Sequence, residues 1–178
     1  DLVNSATFLS PSTLLIARRS DGVIRRVDLV PGQVVTPGPV VHDLDILAPS
    51  PDDGQAEYGV QGLTLHPSFA TNRWVYVRYD RALSPGADTP QEQTQPFVTP
   101  IVNVTERYVF DPGLNAGAGG LVFDRLIRSA SVPNLPHHGG QHAFGPDGKL
   151  YTLFGDQRLS GEVAFNGQPN FFFFRDVG

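Results

Sequence analysis

The chain has 178 residues, of which 40% are hydrophobic, enough to bury a core in one domain or in part of a larger one. Thirteen basic against eighteen acidic residues leave a formal charge of -5, so there is no field to hold a phosphate backbone, and nucleic acid is not an expected partner. The absence of cysteine removes disulfides, thiolate metal sites and thiol nucleophiles, and no stretch approaches the roughly 18 to 20 apolar residues that span a bilayer as a helix.

The 19 glycines and 16 prolines are spread along the whole chain, which argues against long helices. Asp1 at the start, with no methionine anywhere, leads us to expect a processed or partial chain.

From the N-terminus, residues 13–17 and 23–27 are short β-prone runs separated by Ser20-Asp21-Gly22, a tight-turn signal, and are expected to pair as a hairpin. Residues 73–79 alternate aromatic or β-branched side chains with other types, and 102–110 read similarly. Between them, 82–100 carries Pro85, Gly86, Pro90, Pro96 and Pro100 and reads as a long loop. A second break falls at 115–120, and residues 150–154 form another strand after the Asp147-Gly148 turn. Phe171 to Phe174 would put bulk on both faces of a strand, so that run is expected to be buried or pressed against a partner. The class is all-β.

Self-similarity narrows the architecture. Thr7-Phe8-Leu9-Ser10-Pro11, Leu63-Thr64-Leu65-His66-Pro67 and His142-Ala143-Phe144-Gly145-Pro146 each precede a polar turn and a second β-prone run. The separations, 56 residues from Pro11 to Pro67 and 79 from Pro67 to Pro146, exceed the roughly 40 to 50 of compact propeller blades, so blades with long inserted loops are expected. Two to three blades fit, at about 1–50, 58–127 and 137–178.

The segment from Pro136-His137-His138-Gly139-Gly140-Gln141 through Gly145-Pro146-Asp147-Gly148-Lys149-Leu150-Tyr151 to Gly155-Asp156 resembles the signature of the PQQ-dependent soluble sugar dehydrogenases, the glucose/sorbosone dehydrogenase family. The resemblance continues in 59–72, a glycine-leucine segment leading into His66-Pro67-Ser68-Phe69, and in 18–27, which is similar to the family's first blade. It implies a six-bladed β-propeller and oxidation of an aldose, or a related polyol or aldehyde, by hydride transfer to PQQ. It also implies PQQ and calcium as cofactors, most of whose ligands would lie outside this chain, and a periplasmic or extracellular, secreted setting. Missing blades or partner chains would complete the ring, and a sugar would be the substrate.

Carried over by position, the resemblance makes His137 the general base, Asp156 its neighbouring carboxylate and Glu57 a polar residue near the cofactor, which His137 would also contact. The chemistry suits the residue types, because an imidazole with a pKa near 6.5 is poised to take a proton at neutral pH and a carboxylate fixes its tautomer. The glycines after His138 would let backbone approach a flat cofactor.

The sequence departs from the family at Pro136, where members carry Asp, and at Gln141, where Arg is usual. Without the resemblance, His137 and His138 read as solvated loop histidines, Asp156 as a turn residue after a strand, and Glu57 as an exposed loop carboxylate. A metal pair at His138 and His142 is not expected, because Gly139-Gly140 between them opposes a helix. Asp52-Asp53-Gly54 reads as a turn and not as a calcium loop. The alternative to an enzyme is a non-catalytic propeller acting as a binding or scaffold subunit of a larger assembly.

Overall fold

The computed structural model describes residues 3–46, 58–82, 101–132, 140–154 and 170–174. The first four strands are β1 (Val3–Ser10), β2 (Thr13–Arg18), β3 (Val23–Asp28) and β4 (Val40–Asp43), forming an antiparallel sheet in that order. A second four-stranded sheet follows: β5 (Val60–Leu65), β6 (Trp74–Ala82), β7 (Ile101–Asp111) and β8 (Gly120–Val132), again in chain order. The third contains β9 (His142–Phe144), β10 (Leu150–Phe154) and β11 (Asn170–Phe174), with β10 in the middle.

Local chemistry explains the turns. At the β2–β3 hairpin Gly22 takes the left-handed region at φ 70°, and the Asp21 carboxylate accepts a 3.1 Å hydrogen bond from the Val23 amide. The Asp147 carboxylate does the same for the Lys149 amide, 3.1 Å away, in the β9–β10 turn. Between β5 and β6 a single helical turn, α1 (Phe69–Asn72), is closed by Arg73 in the left-handed conformation.

Each sheet meanders outward from its first strand. β1 lies against β5 and β5 against β9, whereas β4 touches β8, so the first strands face the centre and the fourth strands the periphery. That radial stacking of sheets is the β-propeller arrangement, here covering part of a ring.

The two inter-sheet contacts differ in chemistry. Strand alternation sends Val75, Val77 and Tyr79 of β6 into an apolar cluster with Leu15, Ala17 and Ile24 of the first sheet. Each large apolar side chain removed from water there contributes roughly 1.5–3 kcal/mol. The opposite face of β6 carries Tyr76, Arg78 and Asp80, all fully buried, and β7 adds buried Asn103, Thr105 and Arg107. Toward this polar face the third sheet presents His142 and Thr152, likewise buried and directly opposite one another in the β9–β10 pairing.

Candidate functional site

Glu57, His137 and Asp156 all lie outside the described residues, as do 83–100 of the expected long loop. The strands from which these segments depart are described. Glu57 is one residue before Tyr58, His137 three before Gly140, and Asp156 two after the end of β10.

The starts of the three innermost strands are laced together by side-chain amides. Asn4 donates from Nδ2 to the Val60 carbonyl over 2.7 Å, and Gln141 donates from Nε2 to the Asn4 carbonyl over 3.3 Å. Gly62 of β5 runs so close to β9 that a Cβ there would sit 3.4 Å from the His142 amide nitrogen. Because β10 is antiparallel to β9, with Thr152 opposite His142, the end of β10 returns to the same rim. The segments carrying all three sequence candidates therefore leave the described fold at one end of adjacent sheets.

Two arginines fix the backbone at these departure points. Arg19, from the first sheet, donates from Nε to the Tyr58 carbonyl over 3.2 Å, while its own carbonyl accepts from the Val60 amide over 3.3 Å. Gly59 between them has φ 103°, and a Cβ there would fall 1.8 Å from the Arg19 carbonyl oxygen, so only glycine lets the two chains approach. Arg78, from β6, reaches the third sheet in the same manner. Its terminal nitrogen donates to the Gly140 carbonyl over 2.6 Å and to the Leu153 carbonyl, and its Nε donates to Asn103 Oδ1 over 2.7 Å.

The Arg78 guanidinium is wholly shielded from water, a costly place for a cation unless charge and hydrogen bonds compensate. Asp80, equally buried, supplies the charge. It accepts from Asn103 Nδ2 over 2.8 Å at one oxygen and from Gln61 Nε2 over 3.0 Å at the other. Burial pulls the Arg78 pKa down to about 10, with Asp80 opposing and Arg128 adding to the fall, so Arg78 remains a cation at neutral pH.

His142 packs below this network. Its Nε2 lies 3.2 Å from the Tyr76 carbonyl, an acceptor that requires the proton on that nitrogen, which leaves Nδ1 as the bare one. Neither Nδ1 of His142 nor Oγ1 of Thr152 has a partner among the described residues. Burial, with Arg78 as a second cause and the Tyr76 carbonyl opposing, takes the His142 pKa down to about 3, so this imidazole is neutral and does not exchange protons near pH 7. His66 is also structural: its ring packs edge-on to Trp74 and Phe144, and Nδ1 accepts from the Ser68 amide over 3.0 Å.

Gly140 bears on an implied cofactor. A Cβ on it would meet only the Leu153 Cβ, at 3.9 Å, among the described residues. Among the described residues nothing crowds the backbone at Gly140, which leaves space for a flat group such as PQQ. For calcium, no cluster of three or more ligating side chains occurs among the described residues.

Sequence reasoning passed over Arg78, Asp80, Gln61 and Asn103. A signal was present, since Arg78 and Asp80 are two apart in a strand whose other face is Val75 and Val77, placing a charge pair on a face that had to meet something polar.

No protein-family model matches the chain. It is 29% identical over 120 residues to the HIPL1 protein of Arabidopsis thaliana and 28% identical over 118 residues to human Hedgehog-interacting protein, the matches covering 56% and 66% of this chain. The chain spans 17% and 16% of the length of those relatives. Among solved structures, a glucose dehydrogenase-type oxidoreductase of Thermus thermophilus matches 88% of the chain at 27% identity with a TM-score of 0.58. The PQQ-bound aldose sugar dehydrogenase of Streptomyces coelicolor matches 88% at 23% identity with a TM-score of 0.54. The chain corresponds to 37% and 41% of those two proteins. By strand order, by the stacking of its sheets and over nearly nine-tenths of its residues, the chain is a partial β-propeller of the glucose and aldose sugar dehydrogenase fold.

Proposed function

We propose that the whole protein is a PQQ-dependent oxidoreductase that oxidises an aldose or a related polyol or aldehyde, and that this chain contributes the general base. The carrying observation is the single rim from which the segments bearing Glu57, His137 and Asp156 depart, laced by Asn4, Val60 and Gln141. Likeness to a PQQ-bound aldose sugar dehydrogenase supports the cofactor, and the open approach to Gly140 agrees with it.

In this reading the His137 imidazole takes the proton from the anomeric hydroxyl, and Asp156 holds the ring in the tautomer that can accept it. Glu57 lies near the cofactor and helps to orient it. When bound, PQQ supplies the acceptor for the hydride that leaves the anomeric carbon as its carbonyl forms. Calcium and the groups that grip the cofactor's carboxylates belong to parts of the ring outside this chain. A periplasmic or extracellular setting goes with the reading. The expected partners are the sugar and the remaining blades or partner chains. No helix among the described residues is long and apolar enough to cross a membrane.

A second reading, a non-catalytic propeller serving as a binding or scaffold module, draws on the 28% identity to Hedgehog-interacting protein. Dye-linked oxidation of glucose and other aldoses by the whole protein with PQQ and calcium separates the two. His137→Ala is expected to lower kcat by about 10² to 10⁴ while PQQ binding changes little, since the cofactor is held mainly elsewhere. His138→Ala is expected to matter much less, because the resemblance puts His137, and not its neighbour, at the position of the base. A parent protein that binds no PQQ and oxidises no aldose would overturn the enzyme in favour of the binding module. Equal losses from the two histidine variants would leave the activity standing and remove His137 as the base.

A further inference from the structure

We propose that Arg78 is a positioning residue: from the second sheet it sets the backbone at Gly140 and Leu153, and thereby the placement of the two segments that carry His137 and Asp156. This rests on the function proposed above. The carbonyls of Gly140 and Leu153 mark where the chain arrives at β9 and where it is about to leave β10, and one planar guanidinium holds both. Leu153 O also accepts from the Gly140 amide over 3.3 Å, and the Leu153 amide donates to the Gln141 carbonyl over 3.4 Å. The guanidinium thus closes the last rungs of the third sheet at the rim.

Three features separate this arrangement from ordinary inter-sheet packing. The cation is fully buried although an apolar side chain of similar volume would fill the space at lower desolvation cost. Its orientation is fixed from behind by Asn103 Oδ1 on Nε, and Asn103 and Gln61 in turn hold Asp80, whose charge balances the cation. Its targets are two carbonyls of a different sheet, more than sixty residues away in sequence. Arg107, the other fully buried arginine among the described residues, provides a contrast. Its Nε donates to Asp124 over 2.6 Å and its guanidinium stacks 3.7 Å above the Trp74 ring, two contacts that stay within the second sheet. A base and its carboxylate carried on separate segments work only if the separation is held, and a displacement of about 1 Å can cost about 10² in rate.

The test uses Arg78→Lys, which keeps the charge opposite Asp80 but cannot present three donors in one plane. The double variant Arg78→Met/Asp80→Asn removes the buried pair together and so avoids stranding a lone charge. Arg107→Lys is the control for losing a buried guanidinium. Two measurements are made on the whole protein: amide exchange without cofactor, and aldose oxidation with PQQ and calcium. Both Arg78 changes are expected to raise exchange at the Gly140 and Leu153 amides by about tenfold or more while Val75 and Val77 keep their protection. They are expected to lower kcat by about 10- to 100-fold, with KM within about threefold of the parent. Arg107→Lys is expected to lower thermal stability without either effect.

Unchanged exchange at Gly140 and Leu153 in both Arg78 variants would overturn the proposal, as would the same local release in Arg107→Lys. Released amides with parental kcat would overturn the positioning role. If the parent neither binds PQQ nor oxidises an aldose, it is the proposed function that fails. The exchange data then decide the anchor alone, released amides supporting it and protected amides overturning it.

Discussion

His142 shows what one buried ring does to the response of the fold to acid. In the unfolded chain it takes up a proton around its ordinary pKa of 6.5, whereas in the folded chain it resists until about 3. Between those values the unfolded state binds more protons, so stability rises with pH and is lost as the pH falls from about 6.5 toward 3, at up to about 1.4 kcal/mol per pH unit. His142→Gln removes that titration while keeping a donor for the Tyr76 carbonyl. Denaturant midpoints between pH 4 and 8 are expected to show a flatter acid limb in the variant, and an unaltered limb would mean that His142 is not the group responsible. The motif that singled out His137 also contains His142. Sequence alone could not show the burial of His142, because it depends on that ring lying against the second sheet.

At the scale of elements, the start of β5 is the tightest junction described. The Gly59 carbonyl accepts from the Asp80 amide over 3.1 Å, and the residues on either side of it are bonded to Arg19. A methyl group at Gly59 would collide with the Arg19 carbonyl and would force a side chain into a conformation that L residues rarely adopt. Gly59→Ala is expected to cost about 2 kcal/mol or more, read as a lower denaturant midpoint with unchanged m. A loss below about 0.5 kcal/mol would show that the junction can open without consequence. Strands β6 and β7 were legible in sequence because their residues alternate, and β2, β3 and β10 because they are β-prone runs beside Asp-Gly turns. β4 has only four residues after a Pro- and Gly-rich stretch, and β8 pairs with β7 through two register shifts, at Thr105/Glu106 and Arg107/Tyr108. A bulge displaces the two-residue period, so the pattern that announces a strand is broken within it.

For the molecule as a whole, the all-β class and the propeller were legible from the repeated strand, Pro-containing turn and strand. The unequal chemistry of the two sheet contacts was not. The apolar cluster joins the first and second sheets and contains no residue of the third among those described. The second and third sheets are joined mainly by polar groups, with Phe144 packed on Tyr76 and His66, and hydrogen bonds exchanged against water contribute less, net, than buried apolar area. Native-state exchange is therefore expected to release the Leu150 and Thr152 amides at lower denaturant than Val75 and Val77, through an opening about 2 kcal/mol or more below the global one. Simultaneous release would show that the polar contact is as strong as the apolar one.

The lacing at the rim has a consequence for ionic strength. Asn4 and Gln141, which tie the three innermost strand starts together, are uncharged amides, as are Asn103 and Gln61, which steady Asp80. Of the charges that take part, Arg78 and Asp80 are sealed from mobile ions, while Arg19, bonded at the start of β5, is partly exposed. At 1 M salt the screening length shrinks to about 3 Å, and ion pairs open to solvent, such as Arg26 with Asp28 and Lys149 with Asp147, lose most of their attraction. The amide lacing and the sealed pair offer counterions almost nothing to neutralise, so the part of the frame they hold keeps its register from dilute buffer to brine.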